Sequence, residues 1–236
     1  MPVAKYRKTE LSGKEVHYIE ADLDAINVED IGGTVLTSST KFGINGTFFS
    51  STGTVVGIAT TAYGTEVRSD GERHANGYTR GTIVCYRPGN GATKAVSRYV
   101  INHVTGAAPS DWIEWAIGGL SLYINDSTIT TETALTNKLV SDEHGQSVNG
   151  VSPPYDADRA AIGYKPGKIV LAIIKSAKPF TCRTIMQSLG CTDAVLLDGS
   201  TAAQMRAKTA TGNIVTVGGD RSIYSVITVN SSTTWQ

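Results

Sequence analysis

The sequence predicts an α/β (α+β) protein, a single domain over residues 1–236 with a mixed β-sheet core, few helices and a long surface loop. Most apolar segments are short, rich in Val, Ile and Tyr, and separated by turn residues, which is typical of strands. Only one segment, near residue 185, has clear helical spacing together with end signals. There is no internal repeat or linker, so one domain is the simplest organisation.

The first strand follows from the alternation in KEVHYIEADLD, at 14–24. Its pattern places Glu20 and Asp22 on one face and Ile19, Ala21 and Leu23 on the other. Six further segments are predicted strands from their composition: TIVCYR (82–87), AVSRYVINHV (95–104), GLSLYIND (119–126), KIVLAIIK (168–175), DAVLLD (193–198) and IYSVITVN (223–230).

The predicted helix covers 182–189. Thr181 is a suitable N-cap, Ile185 and Leu189 are spaced i and i+4, and Gly190 provides a left-handed stop. Strand 168–175, this helix and strand 193–197 then form a βαβ-like unit. Because ligands bind beyond the carboxyl ends of strands in such units, the turn after residue 197 is the place to expect a site.

A polar segment at 128–157 contains Gly and Pro and is too long for a routine connection. Segments of this kind inside compact domains are often lids or flexible insertions. We therefore expect a mobile loop that borders the site.

Composition and charge narrow the function classes. The chain has 21 basic and 21 acidic side chains and 40% hydrophobic residues, which indicates a soluble globular protein with no nucleic acid polymer or membrane as partner. No apolar run approaches the roughly 20 residues of a membrane-spanning helix, and the N-terminus MPVAKYRKTE lacks the apolar core of a signal peptide. The localisation and oligomeric state are not indicated.

The cysteines and histidines predict neither a disulfide nor a metal site. Cys182 and Cys191 flank the predicted helix, so their Cα atoms would lie farther apart than the roughly 7 Å that a disulfide tolerates. The four histidines are scattered and no Cys-x-x-Cys motif occurs. No cofactor is expected.

The stretch AVLLDGSTAAQMR, at 194–206, delivers one carboxylate, Asp198, from an apolar strand into a turn of small residues. Burying an unpaired carboxylate costs several kcal/mol, so Asp198 should either form an ion pair or face a cleft. In the first case it is a turn cap paired with Arg159 or Arg221. In the second it is a candidate catalytic group.

Four motifs follow one another along the chain: GINGTFFS (43–50), AIGGLSLYIND (116–126), DADRAAIGY (156–164) and LGCTDAVLLDGSTAAQM (189–205). Together they resemble the phosphodiester glycosidase family, over roughly residues 15–230. The sequence departs from the family pattern in three places, which comprise four residues. Thr47 stands where Gly is frequent, Ser200 and Thr201 stand where Gly is usual, and Ala202 replaces a Ser, which removes a possible ligand contact.

The resemblance implies a hydrolase that cleaves a sugar-1-phosphodiester, with a carbohydrate phosphodiester as ligand. Such a reaction needs a carboxylate that either attacks the anomeric carbon or activates a water molecule, and a cation that stabilises the charge of the departing phosphate. Asp198 is the leading carboxylate and Arg159 a suitable bidentate phosphate clamp. Asn45 could hold a sugar hydroxyl or an N-acetyl carbonyl, and completes the predicted catalytic set; alone, Asn-Gly is more often a turn.

The predicted substrate-binding residues are the turn residues and two further acids. Gly46 and Gly199 let the backbone approach a ligand, and Ser200 and Thr201 follow in the same turn as Gly199. A second carboxylate would be supplied by Glu20 or by Asp220 of VGGDRS; both could equally be solvent-facing.

Three aromatic or imidazole side chains are weaker candidates for the site. Trp112 and Trp115 could stack on a sugar, although such a pair more often belongs to a core or rim. His74 could be a general acid, although a solvated loop residue is the simpler interpretation. The alternative function is a non-catalytic carbohydrate-binding or structural module that retains the fold. An enzyme should bring Asp198, Arg159 and Asn45 to one cleft with a second carboxylate, whereas a binding module should show an aromatic platform.

Overall fold

The structure is a computed structural model that describes residues 1–107 and 112–236. The described strands in chain order are β1 (Val3–Leu11), β2 (Lys14–Asp22), β3 (Ile26–Thr34), β4 (Gly43–Asn45), β5 (Ala59–Thr60), β6 (Arg80–Arg87), β7 (Ala95–Ile101), β8 (Trp112–Gly118), β9 (Leu120–Ser121), β10 (Ala157–Lys165), β11 (Lys168–Ala177), β12 (Asp193–Leu196), β13 (Gln204–Lys208), β14 (Ile214–Gly218), β15 (Ile223–Val229) and β16 (Thr234–Trp235). The described α-helices are α1 (Glu132–Glu143) and α2 (Pro179–Ser188).

The strands form three sheets. The largest has the order β16-β1-β2-β11-β10-β12-β9, the second β14-β13-β4-β15-β3, and the third β5-β8-β6-β7. All described pairings are antiparallel except β1 with β16, so the large sheet is mixed. The predicted α+β class with a mixed sheet and few helices is confirmed.

The large sheet is covered on both faces. On β11, Leu171 and Ile173 belong to a core shared with the other two sheets, while Ala172 and Ile174 face a second core that includes residues of both helices. A strand buried on both sides reads as a continuous apolar run, as KIVLAIIK does. On β2 only one face is deeply buried at its end, where Ile19 and Ala21 are inaccessible.

The unit β11–α2–β12 confirms the strand, helix and strand predicted over 168–198. Both strands pair antiparallel with β10 and are therefore parallel to each other, with α2 as the crossover. The helix begins at Pro179, not after Thr181, because a proline is favourable at the first helical position. Gly190 has a φ of +80°, as the predicted stop requires. The three cysteines, Cys85, Cys182 and Cys191, are free and buried.

Two predictions about the middle of the chain are wrong. The long loop at 128–157 contains α1, whose Thr131 side chain accepts a hydrogen bond from the Ala134 amide at 3.2 Å and whose Leu135 and Leu139 pack in the core. The segment GLSLYIND contributes only the two-residue β9, because the chain turns after Ser121. In the described residues, no helix is both long and apolar enough to cross a membrane.

Candidate active site

A cavity of about 450 Å³ opens at the end of the large sheet where β12 finishes and β10 begins. Asp198 lies two residues beyond β12, on the cavity wall. Its turn is held from behind, because the Leu197 amide donates to the Ala160 carbonyl at 2.9 Å and the Asp198 amide contacts the Gly46 carbonyl at 3.4 Å. Asp198 therefore lies just beyond the end of its strand, as predicted.

Asp198 is not neutralised by a cation. It forms no ion pair within 4.0 Å among the described residues, and its Oδ1 accepts a hydrogen bond from the Gly199 amide at 2.9 Å. Burial raises the pKa of Asp198 from 3.8 to about 6, although the Arg221 charge and the Gly199 amide oppose the rise. The carboxylate therefore faces the cleft rather than pairing with Arg159 or Arg221, and can accept a proton near neutral pH.

Arg159 lines the same cavity from the start of β10. Its Nε donates to the Ala177 carbonyl at 3.1 Å, and its Nη2 donates to the Gly150 and Tyr155 carbonyls at 2.9 and 2.8 Å. These partners are neutral, and Arg159 is only 5% exposed. The guanidinium is therefore held in place while its charge is left for an anion.

Two further arginines complete the positive lining, and neither belongs to a motif that the sequence reveals. Arg80, at the start of β6, donates from Nη2 to Ser147 Oγ at 2.5 Å and lies over the Phe48 ring at 5.6 Å. Arg221, before β15, lies over the Phe49 ring at 4.6 Å. The chain segments that carry them meet only through the tertiary fold.

Behind Arg80, the C-terminus of α1 provides a buried carboxylate. Glu143 Oε2 accepts hydrogen bonds from the Gly81 and Ser121 amides at 2.8 and 3.0 Å, and the Glu143 carbonyl accepts from Arg80 Nε at 3.3 Å. Burial lowers the pKa of Arg80, and the nearby Glu143 charge opposes that effect. Glu143 thus positions Arg80 and does not line the cavity.

Neither candidate for a second carboxylate lines the cavity. Glu20 lies on β2 and pairs with Lys165 at 2.5 Å, at the end of β10 opposite to Arg159. Asp220 is exposed and does not line the cavity, although its neighbour Arg221 does. Among the described lining residues, Asp198 is the one carboxylate against three arginines.

Asn45 does not reach the cavity, contrary to its predicted contact with a sugar. It is 1% exposed, its Nδ2 donates to the Asp198 carbonyl at 2.7 Å, and its Oδ1 accepts from the Gln204 amide at 3.0 Å. Gly46 lies beside it and donates to the Ser225 carbonyl at 2.8 Å. Both residues support the Asp198 turn on the side away from the cavity. Their polar groups already form hydrogen bonds within the protein, so they are not available to a ligand.

The turn after Asp198 does line the cavity, through Gly199, Ser200 and Thr201. Ser200 has a φ of +56°, a left-handed conformation that explains why glycine is usual there. Ala202 packs in an apolar cluster with Leu36 instead, so its missing hydroxyl alters the core and not the ligand surface.

The remaining candidates lie elsewhere. His74 is fully buried, contacts Thr82 Oγ1 at 3.1 Å and has a pKa lowered to about 3 by burial and by Arg80, so it is neither a general acid nor a solvated residue. Trp115 is in the core, and Trp112 packs against Tyr63 at 4.2 Å outside the cavity.

The segment 128–157 does border the site after α1. Ser147, Val148, Asn149 and Tyr155 line the cavity, although the segment is partly helical. In the described ranges, no three His, Cys, Asp or Glu side chains converge as metal ligands.

Comparison with known proteins gives a family and a fold. The phosphodiester glycosidase family (NAGPA) matches residues 38–230. The catalytic domain of zebrafish N-acetylglucosamine-1-phosphodiester alpha-N-acetylglucosaminidase, described as auto-inhibited by its pro-peptide, is similar with a TM-score of 0.60 and 14% identity, over 98% of this chain and 83% of that one.

A putative exported protein from Burkholderia pseudomallei K96243 is similar with a TM-score of 0.54 and 12% identity, over 92% of this chain and 74% of that one. No curated protein matches the sequence significantly. At these identities the solved structures show the fold alone, and the family match over 38–230 covers most of the chain. The chain therefore belongs to the phosphodiester glycosidase family.

Proposed function

We propose that this protein hydrolyses the bond between a sugar and phosphate in a sugar-1-phosphodiester, within a glycan, a teichoic-acid-like polymer or a nucleotide sugar. Family membership suggests hydrolysis of a phosphodiester-linked sugar. The observation that carries the proposal is the unpaired Asp198 carboxylate on a cavity wall that also holds Arg80, Arg159 and Arg221.

The three arginines suit a phosphodiester. Arg159 and Arg80 are buried and hydrogen-bonded to neutral groups, so an anion in the cavity would meet guanidinium charges that no described carboxylate neutralises directly. Because Nε and Nη2 of Arg159 donate to backbone carbonyls, Nη1 is the group that can donate to a phosphate oxygen, and the guanidinium charge stabilises the negative charge that grows as the phosphate departs.

The chemistry needs one proton acceptor. In the proposed step, Asp198 removes a proton from a water molecule, whose oxygen bonds to the anomeric carbon. The bond from that carbon to the phosphate oxygen breaks, and its electron pair leaves with the phosphate. The products are a free sugar and a phosphomonoester. Because phosphate is a good leaving group, no general acid is required, which fits the single carboxylate of the described lining.

This route predicts inversion at the anomeric carbon, because water attacks from the side opposite to the leaving group. Direct attack by Asp198 would instead form a glycosyl-enzyme intermediate and give retention. The aromatic rings of Phe48, Phe49, Tyr78 and Tyr155 line the remaining wall and offer apolar faces to a sugar ring.

The test is hydrolysis of p-nitrophenyl diesters of sugar 1-phosphates, followed as released reducing sugar and, after added phosphatase, as nitrophenol. Asp198→Asn should lower kcat at least about a hundredfold, the usual cost of losing a catalytic base. Arg159→Lys retains the charge and loses both the Nη1 donor and the backbone hydrogen bonds that hold it in place, so kcat/KM for phosphodiesters should fall at least about tenfold. Neutral p-nitrophenyl glycosides are the control for Arg159→Lys. Wild-type turnover by Asp198→Asn contradicts the assignment.

The alternative is a non-catalytic carbohydrate-binding module. The four aromatic rings of the described lining favour this alternative, because a binding module should show an aromatic platform. It predicts that the wild-type protein binds sugar 1-phosphates and turns over none of the diesters.

A further inference from the structure

We propose a second glycan-binding site, in a groove at the opposite end of β4 from the Asp198 turn, that takes an anionic sugar-phosphate or polyol-phosphate segment. Phe42 directly precedes β4. Asn45 is the last residue of β4, and its side chain donates a hydrogen bond to the Asp198 carbonyl. The two sites are therefore at the two ends of the same strand. This inference goes beyond the proposed reaction and does not depend on it.

The groove has a volume of about 560 Å³. Its walls come from the chain before β4, the end of β15 with the loop that follows, the end of β13, and Trp235 of β16. Phe42 and Trp235 are both partly exposed, and their rings meet at 62° with 5.8 Å between centroids. The Trp235 face suits the C–H face of a sugar ring, whereas the Phe42 ring already has Arg206 and Lys208 over it.

Charge selects an anionic ligand. Lys208 Nζ and the Arg206 guanidinium each lie 4.5 Å from the centre of the Phe42 ring. Lys208 lines the groove and forms no ion pair with a described residue, whereas Arg206 contacts the Phe42 ring without lining the groove. The one carboxylate of the described lining, Glu29, is already paired with Lys41.

Glu29 also accepts a hydrogen bond from Thr228 Oγ1 at 2.5 Å, and its pKa is lowered by Lys41 and Thr228 against the effect of burial. Glu29 therefore stays ionised, and its negative charge offsets only the positive charge of Lys41. The surplus in the described lining is one positive charge, Lys208, beside the aromatic rings, and the rim adds the exposed hydroxyls of Ser231 and Ser232. A neutral glycan would use the Trp235 ring and leave Lys208 unmatched, whereas a phosphate-bearing glycan uses both.

The test is binding of glycosylated poly(glycerol phosphate) to the full chain carrying Asp198→Asn, so that the polymer is not consumed. Dextran of similar length is the neutral comparison. Trp235→Ala should raise the Kd for the charged polymer at least about fivefold, and Lys208→Gln at least about threefold at low salt. Trp112→Ala and Lys8→Gln are matched controls, because each changes an exposed aromatic or lysine outside the groove.

Dextran should bind at least about tenfold more weakly than the charged polymer. The inference is overturned if Trp235→Ala and Lys208→Gln both bind with the wild-type Kd, if the controls weaken binding equally, or if dextran binds as tightly. If Trp235→Ala lowers the melting temperature of the protein, Lys208→Gln alone tests the inference. Lys208 is a partly exposed residue at the end of β13, so its substitution should not disturb the fold. Failure of hydrolysis would leave these binding results unaffected.

Discussion

Replacing Asp198 by Asn should stabilise the protein at neutral pH while it removes the proposed base. The Asp198 carboxylate is unpaired and half-buried, and burial raises its pKa from 3.8 to about 6. An Asn side chain has the same shape and keeps an oxygen for the Gly199 amide, which donates to Asp198 Oδ1 at 2.9 Å. The variant therefore removes a buried charge without removing its hydrogen bond.

The magnitude and its pH dependence follow from the pKa. A rise from 3.8 to about 6 corresponds to about 3 kcal/mol, since each pH unit represents about 1.4 kcal/mol. Between these two values the folded state binds more protons than the unfolded state, so stability falls as pH rises. Well above pH 6 both states are ionised and the full cost is present; well below pH 3.8 both are protonated and the cost disappears. We expect a gain of about 1 to 3 kcal/mol at pH 7.5.

Urea unfolding of the wild type and Asp198→Asn at pH 7.5 and again near pH 4 measures the effect. The free energy of unfolding of the variant should exceed that of the wild type at pH 7.5, and the two should converge near pH 4. A variant that is less stable than the wild type, or a difference that is the same at both pH values, would show that Asp198 is an ordinary turn cap.

Three further predictions concern activity, packing and motion. For a confirmed substrate, kcat/KM should rise as pH increases through about 6, because Asp198 must be ionised to accept a proton; a flat profile from pH 5 to 7 argues against that role. Gly46→Ala should lower the free energy of unfolding by about 1 to 3 kcal/mol in urea, since its Cβ would overlap Ser225, and a neutral effect would refute this contact. Hydrogen exchange should be slow across α1, fast over 146–157, and slower there with ligand; fast exchange throughout α1 would contradict its packing through Leu135 and Leu139.

The sequence predicts the Asp198 turn because local chemistry determines it. An apolar strand that ends in Asp-Gly must place the carboxylate at a strand end, and the β11–α2–β12 order adds the sheet edge where ligands bind. Arg159 follows from its place at the start of β10 and from the family pattern. The positions of Asp198 and Arg159 depend on residues that are close in the sequence, so the sequence alone can predict them.

Other parts of the site depend on contacts between distant segments. Arg80 and Arg221 belong to no motif, and only the packing of their loops against Phe48 and Phe49 brings them to the cavity. The sequence predicts that Asn45 contacts the ligand, because an Asn-Gly pattern does not reveal whether the amide faces a cleft or a backbone carbonyl. In the structure it binds the Asp198 carbonyl.

The helix α1 was missed for a similar reason. Its segment is mostly polar, and only Leu135 and Leu139 mark the buried face. The Thr131 N-cap followed by Glu132 was a usable signal, together with that i and i+4 pair. The third anchor, the buried Glu143, binds backbone amides of β6 and β9, and no local pattern in the sequence indicates that contact.

Hydrolysis of a sugar-1-phosphodiester in water enriched in oxygen-18 tests the central claim most directly, because it identifies the bond that breaks. If Asp198 directs water to the anomeric carbon while the arginines hold the phosphate, the label appears in the sugar hydroxyl and the phosphomonoester stays unlabelled. Label in the phosphomonoester would mean that water attacks phosphorus, and it would contradict the assignment of this cavity as a glycosidase site.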